Sequence, residues 1–192
     1  MSVSARALLE ELFRTAVAAA HPAACLPPHL PPPPAAPGRL LILAAGKAAG
    51  AMAEVAERHY CDAGAAGRIA GIAVTRPGYG RPTRILEMVE AGHPVPDEAG
   101  VAAAQAVLRL ADEAGPDDLV LVLLSGGASA NWIAPAEGLA LAEKQAVTRA
   151  LLRCGATIGE INTVRKHLSR IKGGRLAVRT RPARLVTLAI SD

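Results

Sequence analysis

Aromatic side chains are scarce in this chain, making up 2% of its 192 residues. That scarcity removes the stacking platforms on which single-stranded DNA and RNA binders rely. The formal net charge is only +4, so neither composition nor charge favours a nucleic-acid partner. Cysteine is equally sparse. Cys25, Cys61 and Cys154 are odd in number and far apart, which offers neither a disulfide framework nor a zinc spacing and fits a reducing cytoplasm. No stretch is long and apolar enough to span a bilayer. The opening MSVSARALLEELF carries two acids close behind its arginine, unlike a signal peptide. The motifs G-x-x-x-x-G-K-[ST], G-x-G-x-x-G and G-x-S-x-G are all missing, which argues against a Walker loop, a dinucleotide fingerprint and a hydrolase elbow. The expectation is a cytoplasmic protein that does not bind membranes.

What the chain does have is apolar periodicity, with 51% of its residues hydrophobic. Leu8, Leu9, Leu12, Phe13, Ala16 and Val17 recur at helical spacing, which predicts a first helix from about Ser4 to His21-Pro22. The run PPHLPPPPAAPG (27–38) admits neither helix nor sheet and reads as an extended spacer. RLLILAAG (39–46), IAGIAVT (69–75), RILEMVEAG (84–92), DLVLVLLSGG (118–127) and RLVTLAISD (184–192) read as strands. Helical patterns over KAAGAMAEVAERHY, VAAAQAVLRLADEAG and LALAEKQAVTRALLRCG separate them. Uninterrupted apolar strands alternating with helices predict an α/β fold: a three-layer αβα, Rossmann-like domain with a mostly parallel sheet. The chain divides into an N-terminal helix (1–26), a proline-rich connector (27–38) and an α/β core (39–192). It stops at Ser191-Asp192, directly after an apolar strand, and reads as the front part of a longer protein.

Ligands of open α/β sheets bind beyond the carboxyl ends of the strands. There stand Gly46-Lys47, Thr75-Arg76, Gly92-His93, the SGGAS run from Ser125 to Ser129, and Ser191-Asp192. Lys47 leaves a buried strand at the start of a helix, where the helix dipole disfavours a cation. Either an anion partners it or its stem snorkels to solvent. Ser125, Gly126, Gly127 and Ser129 can offer hydroxyls and amides to one anion, though SGG is also an ordinary strand-to-helix turn. His93 is a candidate base or substrate hydrogen-bonder, or a loop histidine with a structural partner. Asp97 reads as a helix N-cap.

The stretch INTVRKHLSRIKGGRLA (161–177) gathers six basic residues around two glycines. Ile161, Val164, Leu168 and Ile171 form one apolar stripe, which predicts a helix up to Gly173-Gly174. At about 100° per residue, Arg165, Ser169 and Lys172 line one flank and face a cleft. Lys166 and Arg170 point to water.

LILAAGKAAGAMAEVAE, GHPVPDEAG, VLVLLSGGASA, EINTVRKHLSRIKGGRLA and TLAISD together resemble the glycerate 2-kinase family, whose C-terminal half is the MOFRL domain and whose members are often labelled hydroxypyruvate reductase. The resemblance implies ATP-dependent phosphorylation of D-glycerate to 2-phosphoglycerate with Mg²⁺, in a cleft between a Rossmann-like N-terminal domain and a smaller C-terminal one. It implies catalysis by Lys47, and substrate or nucleotide binding by Gly46, His93, Ser125, Gly126, Gly127, Ser129, Arg165, Lys172 and Gly173. Asp192 is the candidate metal ligand. A homodimer is a further expectation. The C-terminal domain is missing from this chain, so the chain alone is expected to be inactive. Asn131-Trp132 departs from the family's usual aliphatic residue. Two alternatives stand beside the kinase: an NAD(P)-dependent hydroxypyruvate reductase, which would need the absent dinucleotide fingerprint, and a non-catalytic nucleotide-binding fragment.

Overall fold

Every residue of LLILAA is fully buried, and alternate side chains leave the strand on opposite faces. In the computed structural model, which describes residues 4–190, this is strand β1 (Leu40–Ala45). Leu40, Ile42 and Ala44 pack on helix α3 (Ala49–Asp62) through Met52, Ala53, Ala56 and Tyr60. Leu41, Leu43 and Ala45 pack on helix α4 (Glu98–Asp112) through Ala103, Ala104, Val107 and Ala111. Strand β4 (Leu119–Ser125) alternates in the same way. A strand buried on both faces must be apolar throughout, so the three layers follow from the sequence pattern.

The other strands are β2 (Ile69–Thr75), β3 (Glu87–Glu90) and β5 (Arg184–Ile190). All five pair in parallel, in the order β3-β2-β1-β4-β5. The expected α/β architecture is therefore the observed one. The edge strand β3 is shorter than RILEMVEAG predicted. Its lead-in is held instead by buried Glu57, whose carboxylate accepts the backbone N–H groups of Arg84, Ile85 and Leu86 at 2.7, 3.0 and 2.8 Å.

The first helix, α1 (Ala5–Ala20), has the expected limits and is capped by Ser4. Its apolar stripe, however, is uncovered: Leu8, Leu9, Leu12, Phe13 and Val17 are all exposed. A short helix α2 (Pro22–Cys25) follows. The proline-rich run begins with a single 3₁₀ turn, Pro27–His29, against expectation, and then extends. It is tied to the core rather than loose. Tyr60 donates to the Pro31 carbonyl at 2.7 Å, and Arg68 donates to the Pro34 and Gly38 carbonyls at 2.7 Å each. Burial pushes the Tyr60 phenol up to about 12. The remaining helices are α5 (Ala128–Asn131), α6 (Leu141–Arg153), α7 (Ile158–His167) and α8 (Arg175–Arg179). No described helix is long and apolar enough to cross a membrane.

At the amino edge of the sheet, buried Asp118 accepts from the Arg39 backbone N–H at 2.7 Å, from its guanidinium at 2.8 and 3.2 Å, and from the Gly115 N–H at 2.9 Å. Burial alone would push this carboxyl up, but the hydrogen bonds from Arg39 and Gly115 outweigh it and hold the pKa below its usual value. A lowered carboxyl stabilises the fold fully above the unfolded value, near pH 4, and loses that contribution as pH falls through the folded one. Replacing Asp118 by Ala strands two backbone donors and is expected to cost about 1–3 kcal/mol at pH 7. Urea unfolding at pH 7 and pH 3 checks both the cost and its narrowing in acid.

Candidate active site

Strands β1 and β4 lie side by side at the centre, where the strand order reverses direction and α/β sheets bind ligands. Their carboxyl ends leave the sheet almost in contact. Gly46 has φ +120°, and a Cβ there would lie 2.4 Å from the Ser125 hydroxyl oxygen and 2.5 Å from its carbonyl oxygen. Only glycine fits. The backbone then interlocks. The N–H groups of Gly46, Lys47, Ala48 and Ala49 donate to the Val74 carbonyl, the Gly126 carbonyl, Ser125 Oγ and the Gly46 carbonyl, at 3.1, 2.8, 2.9 and 3.1 Å. Ser125 therefore serves the start of α3 as an acceptor, and its own O–H remains a donor.

Lys47 projects from this crossing as an exposed side chain. Gly127 turns with φ +90°, and a Cβ there would meet His93 Nε2 at 2.8 Å and Lys47 Cγ at 3.3 Å. Lys47, His93, Ser125, Gly126 and Gly127 thus form one cluster, as the sequence predicted. His93 is held there by its loop. Asp97 accepts the Gly92 N–H at 2.8 Å and the Gly100 N–H at 2.9 Å, so it caps α4 and closes the loop together. Asn131, fully buried, donates to the Ala91 carbonyl at 3.1 Å and joins α5 to the end of β3. That contact gives Asn131 a structural reason for departing from an aliphatic residue.

Beside the cluster lies a second group. Lys172 donates to the Trp132 carbonyl at 3.0 Å and to the Ser129 carbonyl at 3.3 Å. With Ser129, Arg165 and Pro94 it lines a cavity of about 260 Å³. Arg165 and Lys172 are thus brought to one cavity, beside the loops that follow β3 and β4. Gly173, with φ +64°, is exposed and does not line this cavity.

Three expectations for 161–177 fail together. The helix α7 stops at His167, not Gly173, because Ser169 pairs with Pro135 in an isolated bridge and Arg170 N–H donates to the Ala134 carbonyl at 2.9 Å. Ser169 is consequently buried, with its hydroxyl toward the N–H groups of Ile171 and Lys172, and does not enter the cleft. Arg170 does not point freely to water: its Nε donates to the Pro135 carbonyl at 3.1 Å. Asp192 lies outside the described residues.

The cavity also holds a residue not singled out in the sequence. Lys144 on α6 is only 7% exposed and donates to the Leu168 carbonyl. It shares one helical face with Leu141, Gln145, Thr148 and Leu152, a mixed face that does not by itself mark Lys144 for burial. Burial, then the neighbouring Arg165 charge, pushes Lys144 down to about 8. Burial, then Lys144 and Arg165, pushes Lys172 down to about 7.

Comparison with known proteins agrees with this layout. A family model described as a domain of unknown function, DUF4147, matches residues 8–192. The chain belongs to that family. Its relatives include a D-glycerate 2-kinase of Thermotoga maritima, 48% identical over 155 residues, covering 80% of this chain and 36% of the relative. A protein of Agrobacterium vitis provisionally named hydroxypyruvate reductase is 47% identical over 190 residues, covering 99% of this chain and 42% of its own length. The crystal structure of a glycerate kinase from T. maritima superposes with a TM-score of 0.84 at 42% identity, over 95% of this chain and 43% of that one. The resemblance to glycerate kinases read from the sequence therefore holds, and the DUF4147 chain spans less than half the length of these relatives.

Among the described residues, no group of three or more His, Cys, Asp or Glu side chains could hold a metal ion. The DUF4147 crossing itself offers a direct test. Gly46→Ala forces a strained φ and a backbone clash, and thermal unfolding should show a loss above about 2 kcal/mol.

Proposed function

We propose that this chain carries the N-terminal half of the active-site cleft of a glycerate 2-kinase, which phosphorylates D-glycerate to 2-phosphoglycerate at the expense of ATP. One observation carries the reading. Lys47, His93 and the SGG turn converge at the sheet's carboxyl edge, beside a cavity holding Lys144, Arg165 and Lys172 and lined by no acidic residue. Phosphoryl transfer requires positioning and charge neutralisation more than covalent work by the protein. It also requires two anions, nucleotide and hydroxy acid, to be held side by side.

The C2 hydroxyl oxygen of glycerate attacks the γ-phosphorus, the bond to the β,γ-bridging oxygen breaks, ADP departs, and the hydroxyl proton is released to solvent. Lys47 stabilises charge on the transferring phosphoryl. Gly46 holds Lys47 in position by letting β1 and β4 exit together. Gly126, Gly127, Ser125 and Ser129 donate to phosphate or glycerate oxygens. His93, stacked on Gly127, hydrogen-bonds the substrate. Arg165 pairs with the substrate carboxylate in the fork geometry of a guanidinium, and Lys172-Gly173 borders it. Magnesium would shield the nucleotide phosphates. The described residues offer no carboxylate cluster for it; Asp192, the candidate ligand from the sequence, lies outside them, and no step is routed through the metal.

The reductase alternative fits less well. A dinucleotide pyrophosphate docks on free amides at the turn after β1, yet the N–H groups from Gly46 to Ala49 are all spent inside the protein. In the proposed arrangement the chain is a cytoplasmic Rossmann-like domain comprising the helix 1–26, the connector 27–38 and the core 39–192. A C-terminal MOFRL domain supplies the rest of the cleft, the assembly is a homodimer, and the chain alone does not turn over.

The two-domain protein should consume ATP with D-glycerate, and Lys47→Ala should reduce kcat at least about 100-fold, the scale of losing one transition-state donor. A coupled ADP assay measures this. NADH oxidation with hydroxypyruvate at a comparable rate, or full activity in Lys47→Ala, contradicts it.

A further inference from the structure

The loop after β2, RPGYGR (76–81), contains no helix or strand, yet it is anchored at three points. At its start, fully buried Thr75 donates its hydroxyl hydrogen to the Lys47 carbonyl at 3.4 Å. In its middle, it runs against the first turn of α3: a Cβ at Gly50 would lie 2.5 Å from the Tyr79 carbonyl oxygen. On its far side, Glu90 at the end of β3 accepts the Gly78 and Gly80 N–H groups at 3.0 Å each. The loop is thus fixed against the residues that position Lys47.

What this loop presents is an aromatic ring. Of the chain's four aromatic side chains, Tyr60 and Trp132 are buried and Phe13 belongs to α1, which leaves Tyr79 exposed at the carboxyl edge of the sheet. The ring is seated on the Arg76 guanidinium, whose carbon lies 3.7 Å from the ring centroid, a cation–π contact. Arg76 forms no ion pair among the described residues, and its buried Nε has no acceptor, so the ring is its partner. One face of Tyr79 is taken in this way, yet the residue keeps 46% of its surface open. The Arg76 contact accounts for how the ring is held, and for one face of it.

We propose that the open face of Tyr79 is the stacking platform for the base of the phosphoryl-donor nucleotide. That a nucleotide binds rests on the glycerate kinase reading above; the platform itself rests on the loop. Strand order gives the direction. β1, which leads to Lys47, lies between β2 and β4. The SGG turn follows β4 and leads to the cavity that holds Arg165, so the acid and the transferred phosphoryl group occupy that side. The base is left the side of β2, where Tyr79 stands next to the start of α3. One ring cannot serve a strand of nucleic acid, which stacks successive bases, but it suffices for a single base.

The platform supplies affinity with little selectivity. Stacking tolerates any base, because every base has a π-face. Reading a base edge requires free hydrogen-bonding groups, and the loop has spent its amides. Gly78 and Gly80 N–H donate to Glu90, and Tyr79 N–H donates to the Arg76 carbonyl at 3.2 Å. Purine nucleotides that differ only in their base edges are therefore bound alike by this chain.

Isothermal titration calorimetry of the chain with ADP, and with pyrophosphate, which keeps the phosphates and lacks the base, tests this. Tyr79→Leu keeps apolar bulk without the ring; it should weaken ADP binding at least about fivefold, the lower end of losing one base stack, and leave pyrophosphate affinity unchanged. Tyr79→Phe should bind ADP as the wild-type chain does. A 2-aminopurine nucleoside diphosphate, whose fluorescence is quenched by stacking, should be quenched at saturation by the wild-type chain and Tyr79→Phe but not by Tyr79→Leu. GDP should bind within about fivefold of ADP, and a larger preference overturns the lack of base readout. No ADP binding by the wild-type chain, a smaller loss in folded Tyr79→Leu, or an equal loss of ADP and pyrophosphate overturns the platform. Kinase failure is distinguishable: the two-domain protein would then not consume ATP with D-glycerate although ADP binding still depended on Tyr79.

Discussion

The close approach of β1 and β4 at their carboxyl ends is the constraint on which the site depends. At Gly46 the two strands leave the sheet so close together that a Cβ would lie 2.4–2.5 Å from the Ser125 hydroxyl and carbonyl oxygens. That proximity lets Ser125 receive the Ala48 amide just before α3 and lets the Gly126 carbonyl receive Lys47 N–H. Lys47 is thereby fixed beside the SGG turn, and the turn beside His93. The same interlocking uses the amides that a dinucleotide would need. One steric fact both builds the Lys47 cluster and disfavours the reductase chemistry.

The second organising feature is uncompensated charge. Elsewhere the fold pairs its buried ionic groups: Asp118 with Arg39, and Glu57 with three backbone donors. Around Lys144, Arg165 and Lys172 the partners are neutral: carbonyl oxygens at the carboxyl ends of α7 and α5 accept from the two lysines, and the Asn162 amide oxygen accepts from Arg165. The apolar stripe of α1 is a different kind of feature, since its five large side chains are exposed without a charge pattern that would name an occupant.

The central strands were legible in the sequence because a strand buried on both faces leaves no room for polar residues, and LLILAA and LVLVLL show none. The glycines at 46 and 127 and the lysine at 47 were legible because strand ends are where ligands bind. In the stretch 161–177 the structure brings Arg165 and Lys172 to one cavity, but not by the helix expected. Helical periodicity was carried past His167, whereas Ser169 and Arg170 leave the helix to bond the 134–135 segment. That segment is more than thirty residues away in sequence, and no local pattern announces it. Lys144 lies on a mixed helical face, and only its meeting with α7 gives it meaning. Glu57 and Asn131 are likewise defined by partners 27–40 positions away.

The most direct measurement is a crystal structure of the chain with D-glycerate and an ATP analogue. The account predicts the carboxylate at Arg165, bordered by Lys172, with the terminal phosphate at Lys47 and the SGG turn. A carboxylate at Lys47 with the cation cavity empty, or nucleotide phosphates on the amides at the start of α3, would contradict it.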